Sequence, residues 1–338
     1  MRRWIIDKQG RENLQIEEVP ERQPGPGEML VRVRAVSLNA RDLMMLEKGM
    51  GLQLEFPFVP TSDMAGVVEA TGEGATRFRV GDRVISNFLP EWIDGKPGGS
   101  ASEPSYRSLG GYYPGVLSEY VTFSEDWFTA APVSLDDAQA STLPVAGLTA
   151  WFSLVEQGHL KAGDTVFLPG TGGVALFALQ IAAAHGAAVI ISSSSDEKLR
   201  RARELGAAHG LHRGSSDILK ETLDITHGRG VDHVLELVGG DNFRQSIGMV
   251  SVGGRVSIIG LLGAVELCAP TVPILLKAPV IQGIVTGHRR ALENFVRAVD
   301  SIGLKPVIDR RYAFEDLQNA LDQLKAGAFG KVVIDLTQ

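Results

Sequence analysis

The pattern of apolar and polar positions divides the chain into three stretches. Over 29–36, Leu30, Val31, Val33 and Ala35 alternate in a strand-like way, and further strand signals follow at 66–70, 82–85 and 117–121. Turn clusters at Pro24-Gly25-Pro26-Gly27 and Gly72-Glu73-Gly74 separate them, so the first third predicts mostly β structure. Beyond Leu135 the rhythm changes. Leu143, Ala146, Leu148, Trp151, Phe152 and Val155 fit a buried helix. Strand signals at 165–168, 187–191, 231–237, 254–260 and 280–285 then alternate with helical stretches, among them a charged amphipathic helix over 196–205. Strands separated by helices predict parallel βαβ units, hence an α/β fold with a doubly wound parallel sheet. The tail predicts a helix at 291–302, a strand at 306–310, a helix at 314–326 and a last strand at 331–336, returning to complete the first domain. The expected division is 1–125 with 287–338 as a mostly-β domain, and 126–286 as the α/β domain.

A length of 338 residues also favours two domains over one core. The net charge of −7, with no dense basic run, argues against nucleic acid or an anionic membrane as the main partner. Apolar runs are broken well short of a membrane span, and no signal-peptide core follows Arg2 and Arg3, so a cytoplasmic protein is expected. The single cysteine, Cys268, excludes an internal disulfide framework and any multi-cysteine metal site. Its apolar neighbours make it read as a small buried hydrophobe.

The clearest chemistry lies at 165–175, Thr165-Val166-Phe167-Leu168-Pro169-Gly170-Thr171-Gly172-Gly173-Val174-Ala175. An apolar strand runs into a glycine turn and then a helix, and G-x-G-x-x-A in that setting is a dinucleotide cradle. Gly170 permits the tight turn, Gly172 lets the backbone approach a pyrophosphate, and Ala175 keeps the helix close to its strand. The N–H groups of the helix start, from Thr171 through Gly173 and Val174, face the phosphates. Domains of this kind that prefer NAD place an acidic residue about 20 positions on, to bond the ribose 2′-hydroxyl. Here that region reads Ile190-Ile191-Ser192-Ser193-Ser194-Ser195. Ser193 and Ser194 offer hydroxyls where a carboxylate would repel a 2′-phosphate, and Lys198, with Arg200 or Arg201, stands within a helical turn. NADPH is the expected cofactor.

The order of motifs resembles the medium-chain dehydrogenase/reductase superfamily over essentially the whole chain. The matching stretches are Val31-Arg32-Val33-Arg34-Ala35-Val36-Ser37-Leu38-Asn39, Ala65-Gly66-Val67-Val68 and Val80-Gly81-Asp82-Arg83-Val84. They continue with Leu143-Pro144-Val145-Ala146-Gly147-Leu148-Thr149-Ala150, the glycine cradle and the closing Gly330-Lys331-Val332-Val333. The resemblance is to the zinc-independent, quinone-oxidoreductase-like branch with its alcohol dehydrogenase-like relatives. It implies a GroES-like catalytic domain, a Rossmann cofactor domain, a cleft between them and a homodimer, with 280–285 as the edge strand that pairs. Where zinc-dependent members carry a ligand cysteine, a Gly-His-Glu motif and a second ligand cysteine, this chain has Asn39, Thr61-Ser62-Asp63 and Val145. The region of the four-cysteine structural lobe, 90–110, holds no cysteine. A metal-free protein is therefore expected, and neither His209 nor His212 has a thiolate or carboxylate cluster in sequence to make a zinc site.

By the same resemblance Asn39 lies near the nicotinamide and the substrate, with Arg41 and Asp42 on the next turn. Arg41 either orients a substrate carbonyl oxygen or makes a surface or interdomain contact with Asp42. Asp63 stands near the catalytic centre, as a participant or as a structural carboxylate. Thr149 either touches the nicotinamide ring or bonds its own helix backbone, and Gly260 and Leu261 present backbone groups to the carboxamide. The aromatic, glycine-rich stretch 87–115 is either a lid or a surface loop. Zinc lowers the pKa of bound water by roughly 9 units, and a hydrogen bond from Asn39, contributing ~1–3 kcal/mol to a charged oxygen, does not match that. Hydride transfer to a quinone, an activated enone or a carbonyl small molecule is thus the expected reaction. A metal-free alcohol or aldehyde dehydrogenase and a non-catalytic NADPH-binding redox sensor are the alternatives.

Overall fold

The strands run in chain order as β1 (Arg2–Ile6), β2 (Leu14–Glu18), β3 (Glu28–Leu38), β4 (Asp63–Thr71), β5 (Arg83–Ser86), β6 (Tyr120–Ser124), β7 (Phe128–Ala130) and β8 (Thr165–Pro169). They continue as β9 (Ala188–Ser193), β10 (His209–His212), β11 (Val231–Glu236), β12 (Val250–Ile258), β13 (Val280–Gly283), β14 (Ile308–Tyr312) and β15 (Lys331–Asp335). The structure is a computed structural model describing residues 1–260 and 266–337. Two compact units form, Met1–Leu148 with Gly287–Gln338, and Thr149–Thr286.

In the first unit a sheet in the order β14-β15-β3-β4-β5-β7, with β6 also on β3, is antiparallel except between β14 and β15. Long, apolar β3 sits at its centre. Val31, Val33, Val36 and Leu38 join Met64 and Val68 of β4, Val332 and Ile334 of β15, and Leu321 of the helix Leu317–Ala326 in one core. Residues 126–148 belong with this unit, past the expected boundary at 125. Phe128 of β7 pairs with Ser86 of β5, and Arg83 holds Asp137 at 2.6 Å and the Leu135 carbonyl at 2.9 Å. These ties are non-local, so the change of rhythm in the sequence does not mark them.

The second unit is a parallel sheet in the order β10-β9-β8-β11-β12-β13. Counted from β8 this is the 3-2-1-4-5-6 arrangement of dinucleotide-binding folds, whose ligand site lies at the carboxyl ends of the strands where the order reverses. That point falls between β8 and β11. Strand β8 is buried along its whole length, as expected for a parallel strand covered on both faces. The helix Gly173–Ala184 buries Ala175, Leu176, Phe177, Ala178, Leu179, Ile181 and Ala182, an apolar surface all round that belongs inside a unit.

Short or polar strands β1, β2 and β10 carry too little apolar signal to have been foreseen, and the expected edge strand 280–285 stops at Gly283. Cys268 is exposed rather than buried. Its neighbours Leu267 and Ala269 pack on the core, which turns the residue between them outward, where Arg244 Nη2 lies 3.8 Å from its sulfur.

Candidate active site

In the first unit, β3 pairs Ser37 with Asp63 of β4 and with Val333 of β15. Side chains alternate along a strand, so Ser37, Asp63 and Lys331 share one face. Asn39 follows β3 and starts the helix Ala40–Lys48 from an extended conformation. Asp42 accepts the Asn39 N–H at 2.7 Å, fixing the helix start. The Asn39 side-chain oxygen is drawn elsewhere, to Lys331 Nζ at 2.5 Å, and Nζ also donates to the Leu38 carbonyl at 2.7 Å. Asp63 accepts from Ser62 Oγ at 2.6 Å and from the Val145 N–H at 3.1 Å. Val145 lies in the first turn of a wide helical segment, Leu143–Gly147, where N–H groups lack partners within the helix and favour a carboxylate.

The group is buried: Asp63 is 0% exposed, Asp42 1%, Lys331 3% and Asn39 8%. Burial pushes the Asp63 carboxyl up and the Lys331 ammonium down, and each opposes the other's shift by its charge. Asp42 is pushed up to about 6, chiefly by burial, with Arg41 pulling it down and Asp63 adding to the rise. Three buried polar atoms here lack a hydrogen bond of proper geometry: Ser37 Oγ, Asn39 Nδ2 and Thr61 Oγ1. Thr61 is also held at φ 69°, a costly conformation for a β-branched residue. Such atoms are few in folded proteins, and their gathering around Asp63 marks the place.

Arg41 faces the loop 87–115. Its guanidinium lies 4.8 Å from the Phe88 ring centre and donates to Tyr106 Oη and Ser108 Oγ at 3.2 Å each, and to the Gly110 carbonyl at 3.1 Å. Longer contacts of 3.4 Å reach the Leu109 carbonyl and Asp42 Oδ1. Its donors are thus spent on anchoring the loop. The same loop lines a cavity of about 850 Å³ with Leu52, Trp92, Tyr106, Arg107 and Tyr112 in its walls.

In the second unit, Gly170 ends β8 at φ 102°, in the region that favours glycine, and donates its N–H to Ser192 at 2.8 Å. Gly172 has φ −78°, open to any residue, and a Cβ there would meet no protein atom within 4 Å. Packing does not demand this glycine, and the space beside it suits a ligand lying against the backbone. Thr171 is buried, and Gly173 and Val174 open the helix with no side-chain cap on their N–H groups. The residues present therefore fit a dinucleotide pyrophosphate.

Ser193 closes β9, and its Oγ accepts the Ser195 N–H at 3.3 Å. Ser195 caps the helix Asp196–Glu204 by accepting the Lys198 N–H at 3.4 Å. Ser194 is exposed, and its carbonyl meets His212 Nε2 at 3.0 Å. Pairing of His212 with Ser193 brings up Arg213, an exposed cation the sequence reading did not single out, whose N–H donates to the Ser193 carbonyl at 2.9 Å. Thr149 is buried, and its carbonyl accepts from Ser153 Oγ at 2.7 Å. The Gly260 N–H is committed to the Glu236 carbonyl at 3.0 Å, and Leu261 lies outside the described residues. The Glu236 side chain belongs to no local motif in the sequence. At the carboxyl end of β11, its fully buried carboxylate accepts the Val238 and Gly239 N–H groups at 2.9 Å, Asn242 Nδ2 at 2.8 Å and Ser246 Oγ at 2.5 Å.

Comparison with known proteins accords with both units. The alcohol dehydrogenase GroES-like domain family matches residues 25–133, and the zinc-binding dehydrogenase family matches residues 173–301. A zinc-type alcohol dehydrogenase-like protein of Schizosaccharomyces pombe is 36% identical over 328 residues, covering 94% of this chain and 93% of the relative. The chain belongs to the medium-chain dehydrogenase/reductase superfamily. A solved protein of Sinorhizobium meliloti 1021, proposed to be an alcohol dehydrogenase, superposes on this family member with a TM-score of 0.97 at 56% identity, covering 99% of this chain and 98% of the other. Human quinone oxidoreductase is 26% identical over 320 residues, 92% of this chain and 90% of its own. As a medium-chain dehydrogenase/reductase, the protein is an oxidoreductase of a family that binds a nicotinamide cofactor.

The zinc that some members bind does not fit the residues present. The three positions that the resemblance gives for zinc ligands hold an amide (Asn39), a hydroxyl (Ser62) and an isopropyl group (Val145), with neither thiolate nor imidazole. Among the described residues no group of three or more His, Cys, Asp or Glu side chains is placed to hold a metal ion. No described helix is long and apolar enough to cross a membrane.

Proposed function

We propose that this medium-chain dehydrogenase/reductase is a metal-independent, NADPH-dependent reductase of quinones or of activated enones and carbonyls. The observation that carries the reading is the buried group of Lys331, Asn39 and Asp63, which holds an amide between two opposite charges and contains neither thiolate nor imidazole. Bound NADPH supplies hydride. Asn39 offers an amide N–H to the oxygen that gains charge as an electrophilic carbon is reduced, and solvent returns the proton. Thr149 would meet the nicotinamide ring, Gly170 to Val174 would hold the pyrophosphate, and Ser193, Ser194 and Lys198 would receive the 2′-phosphate. Asp42 fixes the helix start that carries Asn39, and Arg41 holds the loop beside the cavity rather than the substrate.

Likeness to quinone oxidoreductase supports the quinone reading. Likeness to a solved NAD-dependent alcohol dehydrogenase, 31% identical with a TM-score of 0.87, supports alcohol dehydrogenase activity as the second reading, with the absence of metal again argued from the residues present. Turnover of metal-depleted protein on a panel of quinones, enones, aldehydes and alcohols tests both, since only the second predicts alcohol oxidation without quinone reduction. A homodimer through β13 is part of the proposal. This sheet edge exposes Val280 and Ile281 beside Val272, Leu275 and Leu276 of the helix Thr271–Lys277, and an apolar open edge invites a second copy. Light scattering is expected to give twice the 36.2 kDa chain mass; a monomer would refute the pairing.

A further inference from the structure

Lys331 has no part in the residue roles derived so far, yet it is a fully enclosed ammonium at the first position of β15. Burying such a group is expensive unless it is paired and hydrogen-bonded. Here it is both, with N–H bonds to the Leu38 carbonyl and Asn39 Oδ1 and with Asp63 and Asp42 as counter-charges. An amide has an acceptor end and a donor end, and an ammonium offers donors only. Lys331 therefore meets Oδ1 and turns the NH2 end of Asn39 away from itself, while the Asp63 carboxylate, an acceptor, favours that NH2 end. The two charges specify one flip of one amide. Nδ2 contributes to holding the Asp63 charge but makes no hydrogen bond of proper geometry, so at least one of its two N–H groups is uncommitted.

We propose that Lys331 is a positioning residue that locks and polarises the Asn39 amide, supplying through the protein the fixed positive charge that zinc supplies at this place in metal-dependent members. Its ammonium draws electron density toward Oδ1 and makes the uncommitted N–H a stronger donor. The inference rests on Asn39 as the donor to substrate oxygen, and the test separates the two. Asn39→Ala, Lys331→Met and Lys331→Gln are compared alone, and the Lys331 variants are repeated in the Asn39→Ala background. Lys331→Met combined with Asp63→Asn serves as a charge-neutral form should Lys331→Met fail to fold. Two readouts are used: NADPH oxidation with 1,4-benzoquinone, and the nitrogen-15 NMR signal of the Asn39 side-chain amide, identified by its loss in Asn39→Ala.

Removing a preorganised donor of this kind costs roughly 100-fold in kcat, and Asn39→Ala is expected to lose about that much. Lys331→Met should lose ~10-fold or more, yet less than about 2-fold once Asn39 has been replaced, because residues acting as a unit are not additive. Lys331→Gln, which still offers an N–H, should retain more turnover than Lys331→Met. In the resting protein, without any turnover, the amide signal should shift and exchange faster in Lys331→Met or its charge-neutral form. An unmoved amide signal, or an equal Lys331 loss with and without Asn39, overturns the inference and leaves the role of Asn39 standing. Unchanged turnover in Asn39→Ala removes the role of Asn39 and this inference with it.

Discussion

Glu236 offers the sharpest test of how the second unit builds its ligand-facing edge. Every partner of its carboxylate is a donor: two backbone N–H groups, one side-chain amide and one hydroxyl. Glu236→Leu keeps the volume and removes all acceptors. Asn242 and Ser246 can rotate toward other partners, but the Val238 and Gly239 N–H groups are fixed by the chain. Each buried donor left unsatisfied costs about 1–3 kcal/mol, so the backbone pair alone sets a loss of about 2–6 kcal/mol. Glu236→Gln keeps one oxygen for the backbone pair, and Asn242 and Ser246 can turn to meet the new NH2. It should cost only the charge-assisted part of the bonds, about 1–2 kcal/mol. Urea unfolding followed by far-ultraviolet circular dichroism measures both. With an m-value of about 3 kcal/mol/M, Glu236→Leu should lower the midpoint by about 0.7–2 M and Glu236→Gln by about half a molar unit. Equal losses, or a Glu236→Leu midpoint within ~0.2 M of the parent, would refute the role of the carboxylate as organiser of the 238–246 turn.

Two further outcomes follow from the charges. Ser193→Asp puts a carboxylate where a 2′-phosphate is expected; at ~5 Å and an effective dielectric of 20–80 the repulsion is about 2–7 kcal/mol. NADPH affinity, read by fluorescence titration, should fall at least ~30-fold while NADH affinity holds or improves, and an unchanged ratio would remove Ser193 from cofactor choice. For pH, the folded-state Asp42 carboxyl titrates near 6 against a reference of 3.8, so the folded protein holds a proton that the unfolded chain has lost. This contribution is therefore fully present below about pH 4 and is lost as pH rises through 6. At ~1.4 kcal/mol per pKa unit it amounts to about 3 kcal/mol. Asp42→Asn should reduce the stability difference between pH 4.5 and 7 relative to the parent, and an identical difference in the two proteins would contradict the assignment.

The two candidate groups of residues, one in each unit, were unequally legible in the sequence. The cradle from Gly170 to Ala175 is a local device in which strand, turn and helix start are contiguous, so spacing alone exposes it. The strand order that places it at the point of reversal is non-local, but it follows from alternating βα units. The charged group is different in kind. Asn39, Asp63 and Lys331 are brought together by sheet register, Ser37 against Asp63 on one side and Val333 on the other, and no short window contains that pairing. A signal did exist: a lysine opening the apolar run Val332-Val333-Ile334 is a charge inside a core strand, and such a charge needs a partner. The sequence does not separate two roles for Arg41, because its partners at 106–110 lie in a loop with no periodic signal. The exposure of Cys268 is not legible in the sequence, because its apolar neighbours pack on one side of an irregular segment and leave the residue between them outside.

The proposed reaction is hydride transfer to an electrophilic acceptor without a metal ion. Its most direct test is NADPH oxidation by chelator-treated protein, shown metal-free by elemental analysis, with quinones and enones as acceptors and NADH in parallel. Saturable turnover is expected, driven better by NADPH than by NADH and unchanged by added zinc. Turnover that appears only when zinc is restored, or that is confined to alcohol oxidation, would contradict it.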